Sequence, residues 1–251
     1  MREKGCDTSN IERKRGNMLN IVITGASKGI GAEILSKFKS HQLFAISRTE
    51  IKDDGVEWIQ ADLTKQEEIK KVCYYLKQID VDVLINNAGG GEVKDLCDVT
   101  QDLLTNEFTL NLYAPIFLTQ TVLAKMMNKN FGRIINIASI SGNKGTPYLF
   151  TYSAAKAALI NFTESCAQYV SGKDITVNSI SPGGFNTVMS INGRKKLSKM
   201  YNMEKGDYQN EMLSQMGRKK LIEPQEITKV IELLINCEGI NGQNIKISGL
   251  I

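Results

Sequence analysis

One histidine, His41, serves the whole 251-residue chain. So little imidazole argues against a Ser-His-Asp hydrolase and against the usual zinc clusters. Proton transfer is left to tyrosine, lysine or carboxylates. His41 itself follows a helical stretch and precedes a strand, which places it in a loop. No CxxC pair occurs: Cys6, Cys73, Cys97, Cys166 and Cys237 are scattered singly and odd in number. They read as reduced thiols of a cytoplasmic protein, with no disulfide framework and no metal site. No apolar run is long enough to cross a bilayer, and the charged N-terminus is not a secretory signal, so no membrane partner is expected. A net charge of +4 lacks the concentrated basic face that nucleic acid requires. The short basic run Arg13, Lys14, Arg15 is compatible with a nucleic-acid contact, but so short a run reads far better as solvated tail.

What is present suits one globular unit. Hydrophobic residues make up 42% and charged residues 23%, enough to bury a core without disulfides or metal. Residues 1–17 are charged and aperiodic. They are expected to be a disordered tail, or an upstream extension of a protein that starts at Met18. Residues 18–251 are expected to form a single domain.

From Leu19 onward, short Val/Ile/Leu-rich runs alternate with helical periods. Strands are expected at Leu19–Thr24, Leu43–Ser47, Val56–Gln60, Val81–Ile85, Arg133–Ala138, Ile175–Ile180 and Asn244–Ile247. Helices are expected at Gly31–Phe38, Lys65–Leu76, Gln101–Met127, Thr151–Val170 and Pro224–Ile235. Near-continuous apolar strands separated by helices predict an α/β fold of Rossmann type: one doubly wound parallel sheet covered on both faces. One segment, about 184–223, is long, polar and weakly periodic, and is expected to be an irregular lid over a site.

The first strand runs into Thr24-Gly25-Ala26-Ser27-Lys28-Gly29-Ile30-Gly31. A glycine-rich turn between strand and helix lets backbone N–H groups and a helix N-terminus meet a diphosphate. The spacing differs from GxGxxG, and alone it also fits a plain loop. Further along, Tyr152 and Lys156 stand four apart on one helical face. An ammonium beside a phenol favours phenolate, so the pair is expected to lower the Tyr152 pKa toward neutrality. A bare YxxxK, however, also describes an exposed Tyr and Lys on an ordinary helix.

Together these motifs resemble the short-chain dehydrogenase/reductase family, whose nucleotide loop is TGxxxGIG. The resemblance runs from Leu19 to Gly249. It is carried further by Asp62-Leu63, by Asn86-Asn87-Ala88-Gly89, by Ser139 with Tyr152 and Lys156, and by Pro182-Gly183 with Thr187. It implies a hydride-transferring oxidoreductase acting on a carbonyl or alcohol with a nicotinamide dinucleotide. The implied catalytic set is Asn111, Ser139, Tyr152 and Lys156. Tyr152 exchanges the proton, Ser139 steadies the substrate oxygen, and Lys156 tunes Tyr152 and binds the nicotinamide ribose. Asn111, through a helix distortion, completes a proton path by way of a water. Ser141 competes with Ser139, but the family's spacing selects Ser139. The implied cofactor contacts are Gly25, Ser27, Lys28, Gly29, Ile30, Ser47, Arg48, Asp62, Leu63, Asn87, Ala88, Gly89, Tyr152, Lys156, Pro182, Gly183 and Thr187.

At the end of the second strand Ser47 stands where NAD enzymes keep an acid, and Arg48 and Lys28 can pair with a 2′-phosphate, so NADP(H) is expected. The stretch Asn128–Asn178 looks most like 3-oxoacyl-(acyl-carrier-protein) reductases, although the lid does not match them and the C-terminus is shorter, without the usual Gly-Gly end. Lys144, Arg194, Lys195, Lys196, Lys199, Lys205, Arg218, Lys219 and Lys220 favour an anionic substrate such as a carrier-bound 3-oxoacyl thioester. Phe185, Met189, Met200 and Met203 could cover its apolar part. A small neutral alcohol, ketone or sugar is the alternative, and a non-catalytic dinucleotide-binding regulator a remoter one. The family commonly assembles through its two long helices, so a homotetramer or homodimer is expected.

Overall fold

A computed structural model describes residues 18–250; the expected tail at 1–17, with Cys6 and the basic run, lies outside the described residues. The chain alternates strand and helix: β1 (Asn20–Thr24), α1 (Gly29–Lys37), β2 (Gln42–Ser47), β3 (Val56–Gln60), α2 (Gln66–Leu76), β4 (Val83–Asn86), α3 (Gln101–Phe108), α4 (Ala114–Lys129), β5 (Gly132–Ile137), α5 (Phe150–Tyr169), β6 (Ile175–Pro182), α6 (Val188–Met200), α7 (Lys205–Gln215), α8 (Pro224–Asn236) and β7 (Asn244–Ile247). The seven strands form one parallel sheet in the order β3-β2-β1-β4-β5-β6-β7. The order reverses beside β1, which opens a crevice at the carboxyl ends of β1 and β4.

Period-two alternation decides which side chain goes to which face. Ile21 and Ile23 of β1 point into a core shared with Ile34 and Leu35 of α1 and Ile227, Ile231 and Leu234 of α8. Val22 between them points the other way, to Ile69, Val72 and Leu76 of α2 and Leu118, Val122 and Met126 of α4. Both faces are covered, which is why the strands read as unbroken apolar runs.

Two expectations change. The helical region at Gln101–Met127 is not one helix: a π-helical turn, Thr109–Tyr113, separates α3 from α4. The segment 184–223 is not irregular, since α6 and α7 occupy most of it. Its apolar period is faint because α6 buries Arg194, Leu197 and Ser198 along one stripe, so two of the three inward positions carry polar residues. Interior polar groups also tie the sheet to α5. The Asn86 amide donates to Asn136 Oδ1 at 2.8 Å, and the Asn136 amide donates to Thr163 Oγ1 at 2.8 Å. That chain fixes the rotation of α5, and with it the direction in which Tyr152 and Lys156 face.

Candidate active site

The turn after β1 is built for close backbone approach. Gly25 and Gly29 take φ +67° and +58°, values that cost a side-chain-bearing residue about 1 kcal/mol or more. Asn87 braces the turn: its amide donates to Thr24 O at 2.9 Å and Gly25 O at 3.1 Å, and its backbone N–H donates to Thr24 Oγ1 at 3.0 Å. Helix α1 then starts without a side-chain cap and without an acid in its first turn. Its leading N–H groups and positive dipole end are left for an anion. Thr187, which caps α6 by accepting from Ser190 N at 3.3 Å, sits against Gly29, so the far side of the cleft closes on the same turn.

A single cleft of about 1160 Å³ is lined by every expected cofactor residue, from Gly25, Ser27, Lys28, Gly29 and Ile30 through Ser47, Arg48, Asp62, Leu63, Asn87, Ala88 and Gly89 to Tyr152, Lys156, Pro182, Gly183 and Thr187. These residues fit a dinucleotide: an uncapped helix end faces the diphosphate position, and Asp62 and Arg48 stand at the end away from Tyr152. Burial works against the Asp62 charge, but hydrogen bonds from Thr64 and the charges of Arg48 and Lys65 outweigh it, and its pKa is lowered. Ser47 lines the cleft with its hydroxyl already engaged: it donates to Thr49 O at 2.6 Å and accepts from Trp58 Nε1 at 3.0 Å.

The expected catalytic residues come together, with differences in detail. Ser139, at the end of β5, lies against the Tyr152 phenol and accepts from Ser141 N at 3.1 Å. The competing Ser141 instead accepts from Thr146 Oγ1 at 2.9 Å. Lys156 is 2% exposed and donates from Nζ to Ile137 O at 2.7 Å. Its Nζ lies 5.8 Å from the centre of the Tyr152 ring.

The lowered tyrosine pKa expected from the sequence is not found. Burial pushes Tyr152 up, the Ser139 hydroxyl pulls it down, the charge of Glu107 pushes it up again, and the net direction is upward. Burial also pushes Lys156 down, to about 7, which weakens its action as an ammonium beside Tyr152. The same desolvation penalises both charged forms.

Asn111 is fully buried in the π-turn, behind the cleft wall. Its Oδ1 accepts from Gly90 N at 3.1 Å, and its Nδ2 donates to Gly90 O and Glu107 O, both at 2.8 Å. The side chain thus spans the distortion and holds the strand-end loop. Sequence reasoning missed Glu107, which is 6% exposed. Its carboxylate accepts from Glu92 N at 2.6 Å and from the Thr151 hydroxyl, which ties the 90–92 loop to the residue before Tyr152. It stands one helical turn before Asn111, with Leu103, Leu104 and Leu110 at its other helical neighbours, and that was the available signal. Gly91 was missed as well: a Cβ there would lie 2.6 Å from Tyr152 Cβ.

The expected cations divide. Arg194 of the lid and Lys144 of the loop after β5 line the cleft, whereas Lys195, Lys196, Lys199, Lys205, Arg218, Lys219 and Lys220 lie outside its lining. Phe185 and Met203 line it as expected; Met200 does not, and the Met189 side chain lies outside what the structure describes.

Comparison with known proteins agrees with this architecture. Residues 19–198 match the family described as short chain dehydrogenase. A 3-oxoacyl-[acyl-carrier-protein] reductase of Buchnera aphidicola subsp. Schizaphis graminum is 31% identical over 91% of this chain and 95% of its own. A 4-hydroxyisoleucine dehydrogenase, solved in complex with NADH, is 29% identical, covers 92% of this chain and 97% of its own, and superposes with a TM-score of 0.81. A point variant of the actinorhodin polyketide ketoreductase, solved with NADPH, is 25% identical, covers 92% of this chain and 96% of its own, and superposes with a TM-score of 0.82. By fold, by motif and by relatives, the chain belongs to the short-chain dehydrogenase family of oxidoreductases.

Proposed function

We propose that this oxidoreductase reduces a carbonyl at the expense of NADPH, with a 3-oxoacyl compound as substrate and Asn111, Ser139, Tyr152 and Lys156 as its working set. The observation that carries the reading is the convergence of the Ser139 and Tyr152 hydroxyls beside Lys156, in the same cleft as an uncapped helix N-terminus. The 3-oxoacyl part rests on the carrier-protein reductases among the relatives. A neutral ketone, alcohol or sugar is the second reading, since Lys195 and Lys196 lie outside the cleft lining.

When bound, the nicotinamide supplies the hydride. The uncapped start of α1 and the turn Gly25–Gly29 would hold its diphosphate. Asp62 and Leu63 would flank the adenine, and Pro182, Gly183 and Thr187 would hold the carboxamide end. Arg48 is exposed, lines the cleft and makes no ion pair among the described residues. With Lys28 it is placed for a 2′-phosphate.

The raised pKa of Tyr152 keeps the phenol protonated at neutral pH, which suits the donor in reduction better than the base in oxidation. Ser139 offers a second hydroxyl to the same substrate oxygen as charge develops there. Lys156 joins Tyr152 to the interior through Ile137 O. Asn111 holds the π-turn against Gly90, so its part is to fix the wall that Lys156 and the substrate share. The non-catalytic regulator is disfavoured because no member of the set is missing. For assembly we propose two-fold packing through α4 and α5, whose outer surfaces carry exposed Phe117, Ala154, Ala157 and Tyr169.

Four outcomes are expected. Tyr152→Phe should bind NADPH normally, as followed by nucleotide fluorescence, while kcat falls by about 10²–10⁴-fold; near-normal turnover would remove Tyr152 from the centre. Wild-type kcat/KM should favour NADPH over NADH, and Arg48→Ala should shrink that ratio by roughly tenfold or more; equal values in the wild type would refute the 2′-phosphate reading. Glu107→Gln can keep both hydrogen bonds, its oxygen accepting from Glu92 N and its amide donating to Thr151, while the charge goes. The upward push on Tyr152 is thereby removed. In reduction activity falls as the phenol ionises, so the alkaline limb of the kcat profile should move to lower pH; a limb that stays put would show that the carboxylate does not act on Tyr152. Light scattering at micromolar concentration should report a dimer or tetramer, and a monomer would count against packing through α4 and α5.

A further inference from the structure

Beyond Tyr152 the cleft is walled by the lid, where Ser190, Arg194 and Leu197 of α6 lie on one stripe and Tyr201 and Tyr208 follow. Tyr201 stacks on Tyr208 with ring centres 5.7 Å apart. Arg194 is 4% exposed. Its Nη1 donates to Phe185 O and to Ser190 Oγ, both at 2.7 Å. Its Nε is closed off from solvent and has no hydrogen-bond partner. No Asp or Glu pairs with it among the described residues.

The same fold treats its other shielded arginines differently. Arg133 reaches Asp174 at 2.7 Å and Arg218 reaches Glu226 at 3.1 Å. A buried guanidinium without a counter-charge is costly, and folds rarely keep one without a use. Glu211, an acid in the cleft lining, accepts instead from the Gln215 amide at 3.3 Å. Lys144 adds a further cation to the cleft lining from the loop after β5. In a guanidinium, Nε and Nη2 form one edge whose two N–H groups run parallel and match a carboxylate. In Arg194 that is the edge left unused, while Nη1 anchors the side chain to Phe185 and Ser190.

We propose that Arg194 is a substrate-recognition residue whose Nε–Nη2 edge takes a carboxylate carried by the substrate, with Tyr201 and Tyr208 beside it. Nε is enclosed, so the carboxylate reaches the edge only where α6 gives way to it, and it then supplies the missing counter-charge. This deepens the reductase reading and rests on it for the turnover measurements. A diphosphate oxygen of the dinucleotide has the same chemistry, and the experiment separates the two sources.

The test uses the full chain with NADPH and two ketones of one skeleton, acetoacetate and the neutral ethyl acetoacetate. Arg194→Met should raise KM for acetoacetate by roughly 10- to 100-fold, the loss expected for a charge-assisted pair, and change KM for ethyl acetoacetate less than about twofold. Arg194→Lys, which keeps the charge and loses the fork, should fall between. An equal effect on both ketones would reduce Arg194 to a brace for the lid. A rise confined to the KM for NADPH would give the site to the nucleotide diphosphate, and either result overturns the proposal. Malonate supplies a readout without turnover. It should raise the melting temperature of the wild type in proportion to its binding and leave Arg194→Met unmoved, even if neither ketone is reduced. A malonate shift equal in both proteins, or absent from both, also overturns it. Unaltered NADPH binding by Arg194→Met certifies that the variant is folded.

Discussion

The site depends on burying a lysine. Lys156 sits almost wholly out of water with its ammonium on Ile137 O, and an amine in that setting is held near the middle of its titration instead of fully charged. The surroundings are arranged for this. A Cβ at Gly89 would come within 3.0 Å of the amine and 2.9 Å of Asn111 Oδ1, so the loop after β4 has to pass bare. The π-turn admits one extra residue per turn and brings Asn111 inward to hold that loop through Gly90. Helix α5 is then locked to β4 and β5 by the Asn86–Asn136–Thr163 chain. Each feature costs helix regularity, side-chain volume or solvation, and together they place one titratable pair at one depth.

Electrostatics at that depth differ from the picture drawn from bare spacing. Four residues on a helix place Tyr152 and Lys156 on one face but say nothing about how much water surrounds them. Desolvation moves the acid up and the base down, which weakens the mutual attraction that the spacing promised. Glu107 pushes in the same direction for Tyr152. Both shifts favour the uncharged forms, the protonated phenol and the neutral amine. A cleft whose lining includes Lys28, Arg48, Lys144 and Arg194, against Asp62 and Glu211, draws in anions, and their charge in turn favours the protonated amine. Binding and tuning are coupled through the same field.

Much of this was legible in the sequence. Strand positions, the sheet class and the glycine turn follow from period and composition, because both faces of the sheet are buried and the strands are continuously apolar. Tyr152, Lys156 and Ser139 were reached through motifs with fixed spacing. Most of what escaped notice depends on polar groups facing inward. Glu107 in α3 occupies a core-side position that a hydrophobic period assigns to Leu or Ile, and the inward Arg194 and Ser198 of α6 blur its period, so 184–223 read as loop although Arg194 itself was named among the cations. Gly91 escaped because nothing local demands a glycine there; the demand comes from Tyr152, sixty-one residues later.

The inward charges are also where the chain departs from what its fold requires. Nothing in a Rossmann sheet itself calls for a charge at 107 or 194, and replacing a buried ion together with its partners by apolar groups is often neutral or stabilising. Glu107 offsets its cost with two donors on neighbouring segments and leaves no orphan. Arg194 offsets only part of its own, through Nη1. The difference separates two uses of a buried charge. One is fully paired within the protein and sets the shape and field around Tyr152. The other is left one partner short, at Nε, on the wall of the cleft, where a ligand rather than the fold would complete the pair.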